Sequence, residues 1–447
     1  MNLIQRTIHT LGQFASALHG DGWENIWTGM GTSRDRTEAT AYRTVVPITD
    51  VELAALYHGE DIAKRVVNLP PREMLRQGFG IKCPDTTAAS KVAARHRDLD
   101  TLGKVKEATI WGRCFGGAVL LIGADDGQDP RLPLNEQGIR SLSFLQVYDR
   151  RMVWPEEWET DPRSPYFNQP RIYRLTNYRT GLGSCVHASR VIRFGGEHTG
   201  NQERWFLNGW DYSVLQHTYE PIRQFSACYK AAEYMLGDAS QGVFKIRGLL
   251  AMIAGGQLVN LQTRAQFMDM MRSYTRSILL DADGGESFDK IQTAFTGIGD
   301  MLDRSANRLS AATEIPVTLL MGQAPAGLQA TGASDIRAWY DRVQGDREQD
   351  LRPKLDRLTK LVAIAERVGD RQYETTFLPL WQETPKERAD RLKVEADTAS
   401  VWISNEVLTP DEVAIAEFGS SERQPYRVNP ATRAVDPNLG RKDIPGA

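Results

Sequence analysis

The hydrophobic and polar positions of this 447-residue chain repeat at helical spacing in three long stretches. The first begins at Gly209, and its apolar stripe consists of Leu215, Tyr219, Ile222, Phe225, Tyr229, Ala232 and Leu236. The second, Thr296–Thr313, has the stripe Ile298, Met301, Leu302, Ser305, Leu309 and Ala312. The third, Ser334–Val368, begins with the N-capping pair Ser334-Asp335 and contains Pro353, so we predict a long helix kinked near this proline.

Residues 46–208 show a different pattern, in which short helical segments alternate with runs of strand-forming residues. Helices are predicted at Asp50–His58, at Glu60–Leu69, where Pro70-Pro71 would stop the helix, and at Lys104–Trp111, which would end near Gly112. Strands are predicted at Gly78–Ile81, Gly117–Ile122, Ser143–Tyr148, Arg171–Leu175 and Val186–Phe194. Together with the long helices, this pattern predicts an α+β fold.

Shorter elements separate the first two long helices. We predict a strand at Val243–Arg247, a helix at Gln257–Tyr274 and a hairpin whose strands are Ser277–Asp281 and Ser287–Gln292. The hairpin turn is assigned to Asp283, Gly284 and Gly285. A calcium loop is the alternative for this turn, but the EF-hand pattern needs an acidic or amide side chain where Gly285 stands, so no metal site is predicted.

A loop of unusual composition precedes the third helix. Pro316 restricts Ile315 and is predicted to end the second helix, with Val317–Met321 as a short extended or buried segment. The following residues include glycine, proline, alanine and amides but no charged residue, although a solvated loop of this length normally carries charge. The candidate functional positions in this loop are Gln323, Ala324, Pro325, Gly327, Leu328, Gln329 and Thr331.

Both ends of the chain carry recognisable patterns. Residues 1–45 open with an apolar stripe formed by Leu3, Ile4, Ile8, Leu11, Phe14 and Leu18. This pattern favours a packing helix on an arm over a membrane-surface helix, which usually carries several Lys or Arg. Capping boxes at Thr384–Glu387 and Thr409–Glu412 predict two further helices. Residues 419–447 are polar and contain proline, so we expect most of them to be disordered or dependent on a partner.

Composition narrows the classes of protein to consider. A hydrophobic content of 41% and a charged content of 25% are those of a soluble globular protein, and the length allows two to four substructures. Neither a membrane-spanning apolar run nor a signal peptide is recognised, so we expect an intracellular protein. The four cysteines, Cys83, Cys114, Cys185 and Cys228, are far apart and are predicted to be reduced core residues.

Sequence motifs of catalysis are missing. The seven histidines are scattered, and neither HExxH, GxSxG nor a Walker lysine occurs. Two glycine groups, Gly112-Gly116-Gly117 and Gly322–Gly327, suggest phosphate loops, but neither is followed by the Lys-Ser/Thr pair that such loops need. The enzymatic alternative that stays open is carboxylate chemistry in the α/β portion, with Asp125, Asp126 or the pair Glu156-Glu157.

Three stretches, in their order along the chain, resemble the portal proteins of tailed bacteriophages. The stretch IPVTLLMGQAPAGLQATGASDIRAWYD, Ile315–Asp341, resembles the portal segment that joins the second stem helix to the long helix behind the DNA channel. Val186–Gly195 resembles the portal H-x-S-R-V-I-x-F strand, and Gly209–Leu215 resembles the G-x-S-x-L entry to the first stem helix. The resemblance spans roughly Val46 to Phe418.

The resemblance implies a portal-like subunit made of nine regions. These are an N-terminal arm (1–45), an α/β wing (46–208), a first stem helix (209–239), a small α/β clip (240–293), a second stem helix (294–316), a channel loop (317–333), a long kinked helix (334–370), a helical crown (371–418) and a C-terminal tail (419–447). It also implies that Gln323–Thr331 faces the DNA and that the clip docks the packaging motor.

The implied function is structural, without enzymatic activity, cofactor or metal. Assembled portals form a homo-oligomeric ring of twelve subunits at one capsid vertex of the virion, built in the host cytoplasm, through which double-stranded DNA is packaged and ejected. The implied partners are the large terminase, the head-tail adaptor and the major capsid and scaffolding proteins, with no membrane. The net charge of -3 agrees with a conduit that does not grip DNA, because tight DNA binding usually needs excess Lys and Arg.

Overall fold

The computed structural model describes residues 46–177, 180–237, 240–245, 287–292, 297–322, 329–368, 372–381 and 385–418. Six predictions lie outside these residues: the stripe of the N-terminal arm, the helix Gln257–Tyr274, the strand Ser277–Asp281, the turn Asp283-Gly284-Gly285, the loop positions Gln323, Ala324, Pro325, Gly327 and Leu328, and the C-terminal tail. The Thr384 residue of the first capping box also lies outside them.

The described elements alternate between helices and strands in the first half of the chain and are mainly helical in the second. The helices are α1 (Asp50–Gly59), α2 (Asp61–Met74), α3 (Thr86–Asp98), α4 (Thr101–Phe115), α5 (Asn201–Phe206), α6 (Leu215–Gly237), α7 (Ile298–Thr313), α8 (Val317–Met321), α9 (Gln329–Asp346), α10 (Arg352–Ala365), α11 (Pro385–Ser404) and α12 (Pro410–Phe418). The strands are β1 (Gly80–Lys82), β2 (Gly117–Asp125), β3 (Ser141–Asp149), β4 (Val153–Trp158), β5 (Pro170–Thr176), β6 (Gly183–His187), β7 (Val191–Gly195), β8 (Ser240–Lys245), β9 (Ser287–Gln292) and β10 (Glu374–Thr376). The predicted α+β class is confirmed.

Two three-stranded antiparallel sheets organise residues 117–195. In the first, β2 lies between β3 and β7, with Leu120 opposite Val147 on one side and Ile192 on the other. In the second, β5 lies between β4 and β6. The main core packs α4 against the first sheet and continues into the long helices, whereas a smaller core around Tyr173 and Trp210 lies against the second.

The predicted strand Val186–Phe194 is wrong as a single element. The structure divides it into β6 and β7 with a 3-10 turn, Ala188–Arg190, between them. His187 causes the interruption, because its Nδ1 accepts a hydrogen bond of 3.1 Å from the Ser189 backbone nitrogen and thereby caps the turn. The two halves consequently join different sheets.

The prediction that Pro70-Pro71 stops a helix is also wrong, because α2 continues through both prolines to Met74. Their rings leave the carbonyl oxygens of Val66 and Val67 without helical donors. Arg113 of α4 supplies the missing donors: its Nη2 lies 3.2 Å from the Val66 oxygen and its Nε 3.3 Å from the Val67 oxygen. A side chain distant in sequence therefore replaces the two missing hydrogen bonds.

Helix α4 is longer than predicted, since Gly112 lies inside it and Gly116 caps it in the left-handed conformation, with φ 81°. Helix α6 starts six residues later than predicted, at Leu215 rather than Gly209. The reason is that residues 211–214 bond to the end of α4: the backbone nitrogens of Asp211 and Val214 donate to the carbonyl oxygens of Gly116 and Arg113. Gly209 itself is left-handed, with φ 79°.

The long helices α6 and α7 pack against each other through buried residues such as Ile222 and Leu309. Strands β8 and β9, which come after α6 and before α7 in the chain, pair in antiparallel fashion over their whole described length. The prediction of Ser287–Gln292 as a strand is confirmed. The other predicted strand, Val243–Arg247, begins three residues earlier in the structure, at Ser240.

The third long helix is continuous from Gln329 to Ala365 but changes its winding in the middle. Residues Arg347–Leu351 form a π-helical turn in which the Arg352 backbone nitrogen donates to the Arg347 carbonyl oxygen, five residues earlier. Pro353 follows at once. Because proline lacks the donor that an α-helix would use here, the extra residue of the π turn accommodates it. The structure therefore changes its winding next to Pro353, and the predicted kink stays a prediction.

Candidate channel region

The candidate channel residues fall at the junction of α8 and α9. Gln323, Ala324, Pro325, Gly327 and Leu328 lie outside the described residues, as do Asp283, Gly284 and Gly285. Gln329 and Thr331 are in the first turn of α9, so this helix begins five residues before the predicted start at Ser334. Gln and Ala are good helix formers, and a single Gly332 costs only about 1 kcal/mol in a helix, which explains the longer element.

Val317–Met321 was predicted to be extended or buried, and it is a short helix in which Leu320 is buried and the other residues are half-buried, so the extended conformation is wrong. The Pro316 carbonyl oxygen accepts hydrogen bonds from the backbone nitrogens of Leu319 (3.0 Å) and Leu320 (2.8 Å), and Gly322 closes the helix with φ 73°. Proline restricts the residue before it but leaves the residues after it free to be helical. The prediction that α7 ends before Pro316 is confirmed, since Glu314 is left-handed with φ 55°.

Helix α2 and the turn that follows it hold the chain on both sides of the candidate loop. On the side before the loop, Arg65 Nε donates a hydrogen bond of 3.0 Å to the Leu319 carbonyl oxygen of α8. On the side after it, Arg76 Nη1 donates to the Tyr340 hydroxyl of α9 over 3.3 Å. An ion pair between Glu314 and Arg342 adds a direct connection between the end of α7 and α9.

The π turn is anchored by a fully buried arginine. Arg347 Nη1 donates to the Met74 carbonyl oxygen at the end of α2 (3.3 Å), and Nη2 donates to the Leu378 carbonyl oxygen (2.7 Å). Its guanidinium carbon lies 4.5 Å from the centre of the Phe377 ring. Burial lowers the pKa of Arg347 from its ordinary value, while the two carbonyl oxygens and the Phe377 ring stabilise its charged form. The middle of the long helix is therefore tied to the same helix α2.

Asp126 is a structural residue and not a catalytic acid. Its Oδ2 accepts a hydrogen bond of 2.7 Å from Arg190 Nη2 and one of 2.9 Å from the Asn135 backbone nitrogen, and both side chains of the ion pair are buried. Burial raises its pKa, but the hydrogen bonds from Arg190, Asn135 and Gln128 outweigh this effect and lower the pKa from the ordinary value. A carboxylate held ionised in this way cannot act as a proton donor near neutral pH.

The other candidate carboxylates are also occupied by local contacts. Asp125 accepts a hydrogen bond from the Gly127 backbone nitrogen, 3.2 Å away. Glu157 pairs with Arg171 at 2.5 Å, and Glu156 lies 3.8 Å from Arg131. These are surface contacts on separate partners. The described residues contain no group of three or more His, Cys, Asp or Glu that could hold a metal ion.

The four cysteines form no disulfide. Only Cys114 is buried, so the prediction of four core residues is wrong for Cys83, Cys185 and Cys228, which are half-buried. Burial raises the pKa of the Cys114 thiol to about 12, which keeps it protonated and unreactive.

The Gly112-Gly116-Gly117 group serves close packing. A Cβ atom on Gly117 would collide with the Trp210 ring, and one on Gly112 would come within 2.8 Å of the Gly195 carbonyl oxygen. Together with the left-handed Gly116, these residues let the end of α4 approach β7 and the segment before α6. Close packing therefore explains these three glycines without a phosphate loop.

Sequence reasoning missed the three arginines that organise this region, Arg65, Arg113 and Arg347. Periodicity treats an arginine on a helix as a solvent-facing residue, and each of these donates instead to backbone carbonyls of a distant element. The only local signal was the Pro70-Pro71 pair inside an apolar helical pattern, since two prolines imply two carbonyl oxygens in need of donors.

A family model described as phage portal protein matches residues 51–401, which is most of the chain. The chain belongs to the phage portal protein family. Members of this family are structural proteins, so the chain is structural and not enzymatic. The resemblance carried by the three sequence stretches is thereby confirmed.

Three relatives align over most of the chain. Two are named anti-CBASS protein Acb1: one from Caulobacter sp. (strain RHG1) is 29% identical over 85% of this chain, and one from Sphingomonas paeninsulae is 27% identical over 88%. This chain spans 62% and 64% of their lengths. An uncharacterized protein of Haemophilus influenzae is 25% identical, covering 88% of both chains.

Two solved structures are similar to this chain at 15% identity, each covering 85% of this chain and 96% of its own. One is from the neck of an empty gene transfer agent particle, computed with C6 symmetry, with a TM-score of 0.50. The other is from the virion of a native gene transfer agent particle, with a TM-score of 0.48. Among the described helices, none is both long and apolar enough to cross a membrane.

Proposed function

We propose that this chain is the subunit of a closed ring at one vertex of a phage capsid, and that double-stranded DNA passes through the ring during packaging and ejection. The observation that carries the proposal is the junction of α8 and α9. A segment without charged residues stands between two helices, of which α2 holds the first through Arg65–Leu319 and the turn after α2 holds the second through Arg76–Tyr340. Family membership supports the same role.

The described elements fit the regions of a portal subunit. Residues 46–208 form the wing, α6 and α7 are the two stem helices, and β8 and β9 belong to the clip between them. The long helix of α9, the π turn and α10 lies behind the channel, and α11 and α12 form the crown. Helix α11 supports this last assignment, because none of its described residues is buried within the subunit, as expected of a helix covered by neighbouring copies.

An uncharged loop suits a sliding DNA molecule. Small side chains and amides at Gln323–Thr331 touch phosphates or sugars transiently, whereas Lys or Arg would form charge-assisted contacts with each passing phosphate. Ring symmetry multiplies any such contact by the number of subunits. The near-neutral net charge of -3 agrees with weak and sequence-independent contact.

The proposed partners follow from this placement. The clip would dock the large terminase during packaging and the head-tail adaptor afterwards, while the wing would contact the major capsid and scaffolding proteins. Assembly takes place in the host cytoplasm and the product resides in the virion. The ATP hydrolysis that moves the DNA belongs to the terminase, because this chain lacks a Walker lysine.

Electron microscopy of the purified full-length chain tests the proposal. We expect closed rings with a central channel, with twelve subunits as the main class, after incubation with the scaffolding protein. Mass photometry of the same sample measures the copy number. A chain that stays monomeric at micromolar concentration with scaffold present would refute the ring.

A further inference from the structure

A cleft of about 1580 Å³ lies beside the junction of the wing with the long helix. Its walls come from α2, α4, the end of β7, α5 and the segment from α9 to α10. Inside the cleft the charged side chains are largely engaged with one another or with backbone. Arg204 pairs with Asp211, Lys354 pairs with Asp350, and Arg193 donates to the Gly209 carbonyl oxygen. The family role as described does not use this space.

The mouth of the cleft is aromatic and exposed. Trp205 is 75% exposed and Phe206 67% exposed, and their ring centroids lie 5.1 Å apart. Phe167 and Trp158, also at the cleft, are 45% and 39% exposed. Single exposed apolar residues are ordinary, but four large aromatic side chains at one cleft mark a surface that binds an apolar partner.

The size of the cleft suits a helix. A ten-residue α-helix is roughly 15 Å long and 10–12 Å across with its side chains, and so occupies roughly 1400 Å³. A drug-sized ligand site is usually smaller, about 300–1000 Å³. An amphipathic helix that lays an apolar stripe on aromatic residues is a common mode of recognition, and it fits both the volume and the lining.

The chain contains a segment with the required chemistry. Leu3–Leu18 has the apolar stripe Leu3, Ile4, Ile8, Leu11, Phe14 and Leu18, and Arg6 is its only Asp, Glu, Lys or Arg. Its other side chains are small or are amides, hydroxyls and a histidine. Such a helix enters a cleft with polar walls without burying several unpaired charges.

The described chain begins near the cleft. The Val46 carbonyl oxygen accepts a hydrogen bond of 3.2 Å from Gln216 Nε2, and Gln216 Oε1 accepts one of 2.9 Å from the Ile48 nitrogen. Two residues before Gln216, the Val214 nitrogen donates to the carbonyl oxygen of Arg113, which lines the cleft. Residues 19–45 can span roughly 90 Å when extended, so Leu3–Leu18 reaches the cleft of its own chain.

We propose that Leu3–Leu18 binds as a helix at this cleft of its own subunit, with its apolar stripe on Trp158, Phe167, Trp205 and Phe206. The cleft holds about ten residues of this helix, and the remaining turns extend beyond it. Attachment through residues 19–45 gives the segment a high effective concentration at its own cleft. The cleft is then an internal docking site that fastens the arm across the wing.

Photo-crosslinking of the full-length chain tests the proposal. Trp205→p-benzoylphenylalanine places a crosslinker at the mouth, and Phe144→p-benzoylphenylalanine is the matched control, since Phe144 is 51% exposed but lies outside the cleft lining. Equal amounts of 14N- and 15N-labelled chains are mixed before assembly. We expect crosslinks from position 205 to residues 1–20 within a single isotope, and none to this segment from position 144.

Three results of this crosslinking experiment would overturn the proposal that Leu3–Leu18 binds in the cleft. Crosslinks that join the two isotopes mean that a neighbouring copy supplies the occupant. Crosslinks from position 205 to another part of the chain identify a different occupant. The absence of any crosslink from position 205 to residues 1–20 means that the cleft does not bind the segment.

Hydrogen exchange gives a second readout that does not alter the cleft. Phe14→Asp places a charge on the apolar stripe, whereas Gln13→Asp places the same charge on the opposite face. We expect the amides of Asn201–Phe206 to exchange about tenfold faster in Phe14→Asp, the factor expected when a buried phenylalanine loses its transfer free energy, and to be unchanged in Gln13→Asp. Equal exchange in the two variants would contradict the docking.

Discussion

Arg113 Nε donates a hydrogen bond of 3.3 Å to the Val67 carbonyl oxygen, the oxygen that the ring nitrogen of Pro71 leaves without a helical donor. Because Arg113 lies on α4 and Val67 on α2, the bond fixes α2 against α4. Burial lowers the pKa of Arg113 to about 10, which is still high enough to keep it charged at neutral pH. Since α2 and the turn after it also hold both flanks of the candidate channel loop, this contact connects α4 to those flanks.

We predict that Arg113→Ala lowers the free energy of unfolding by about 2–3 kcal/mol, because two carbonyl oxygens lose charged donors inside the protein. The midpoint of thermal unfolding, followed by circular dichroism, measures the loss. Arg223→Ala is the control, since Arg223 forms an exposed pair with Glu220 on one helix and such pairs contribute about 0–1 kcal/mol.

A double-mutant cycle identifies the cause of this loss. Pro71→Ala restores a backbone nitrogen that can donate to the Val67 oxygen, so Arg113→Ala should cost less in the Pro71→Ala background than alone. An equal cost in both backgrounds would show that Arg113 stabilises the fold through its other contacts, including the bond to the Val66 oxygen, and not through the carbonyl of Val67.

The sequence predicted the elements that depend on local pattern. The stripes of α6 and α7, the buried strand β2 and the Thr409 capping box, in which Thr409 and Glu412 exchange hydrogen bonds, need only nearby residues. The prediction failed where contacts with distant residues determine an element. Helix α2 continues through two prolines because Arg113 donates the hydrogen bonds that the prolines cannot. Strand β10 was missed because its three residues are held by pairing with β1, almost three hundred positions earlier.

The candidate site was predictable only as a segment. Its lack of charge is a property of composition, and its position between two helices follows from periodicity. The supports of that segment, Arg65 and Arg76, were not predictable, because their partners are a backbone oxygen and a hydroxyl group more than 250 residues away. No local pattern encodes such a pair.

We predict that Asp126→Asn destabilises the wing by about 3–5 kcal/mol at neutral pH, because it leaves the buried Arg190 without its counter-charge. Asp125→Asn, the adjacent but exposed carboxylate, is the matched control and should change stability by less than about 1 kcal/mol. Urea unfolding followed by tryptophan fluorescence compares the two. Similar losses in both variants would contradict the assignment of Asp126 as the buried half of the ion pair.

Asp126 also makes the stability of the protein depend on pH. The pKa of Asp126 is lowered in the folded state, so its contribution is complete above the unfolded value near 4 and is lost as the pH falls through the lower, folded value. Asp126→Asn should therefore be less sensitive than the wild type to acid below about pH 4. An unchanged slope of stability against pH in this range would show that the carboxylate does not titrate with unfolding.

We predict that His96 causes a loss of stability at milder acidity than Asp126 does. Its ring is buried between Thr101, 3.0 Å from Nδ1, and Thr359, 3.2 Å from Nε2, and burial lowers its pKa to about 4. The unfolded chain takes up this proton near pH 6.5 and the folded chain only near pH 4, so stability falls between these values by about 3 kcal/mol. We expect His96→Gln to remove most of this slope, whereas His58→Gln, at an exposed position, should retain it.

The last prediction concerns the channel. Gln329 is the first residue of α9, where an added lysine costs about 0.3–1 kcal/mol against the positive end of the helix dipole, so Gln329→Lys should fold and form rings. In the ring it would create a circle of positive charges. Attraction to a phosphate at 4 Å is worth roughly 1 to 4 kcal/mol for each contact, depending on the effective dielectric. We therefore expect DNA packaging, measured as nuclease-protected DNA, to fall and to recover partly at higher salt.

Two controls separate this effect from a general disturbance. Gln329→Glu changes the same position without attracting phosphate, and Gln137→Lys makes the same Gln-to-Lys change at an exposed position between β2 and β3. Neither should reduce packaging in a way that added salt relieves, because neither places a positive charge in the channel. If Gln329→Lys packages DNA normally but fails to form rings, the segment belongs to a contact between subunits, since screening by salt cannot restore an interface that a buried lysine has separated. That outcome would remove the channel assignment while leaving the family membership intact.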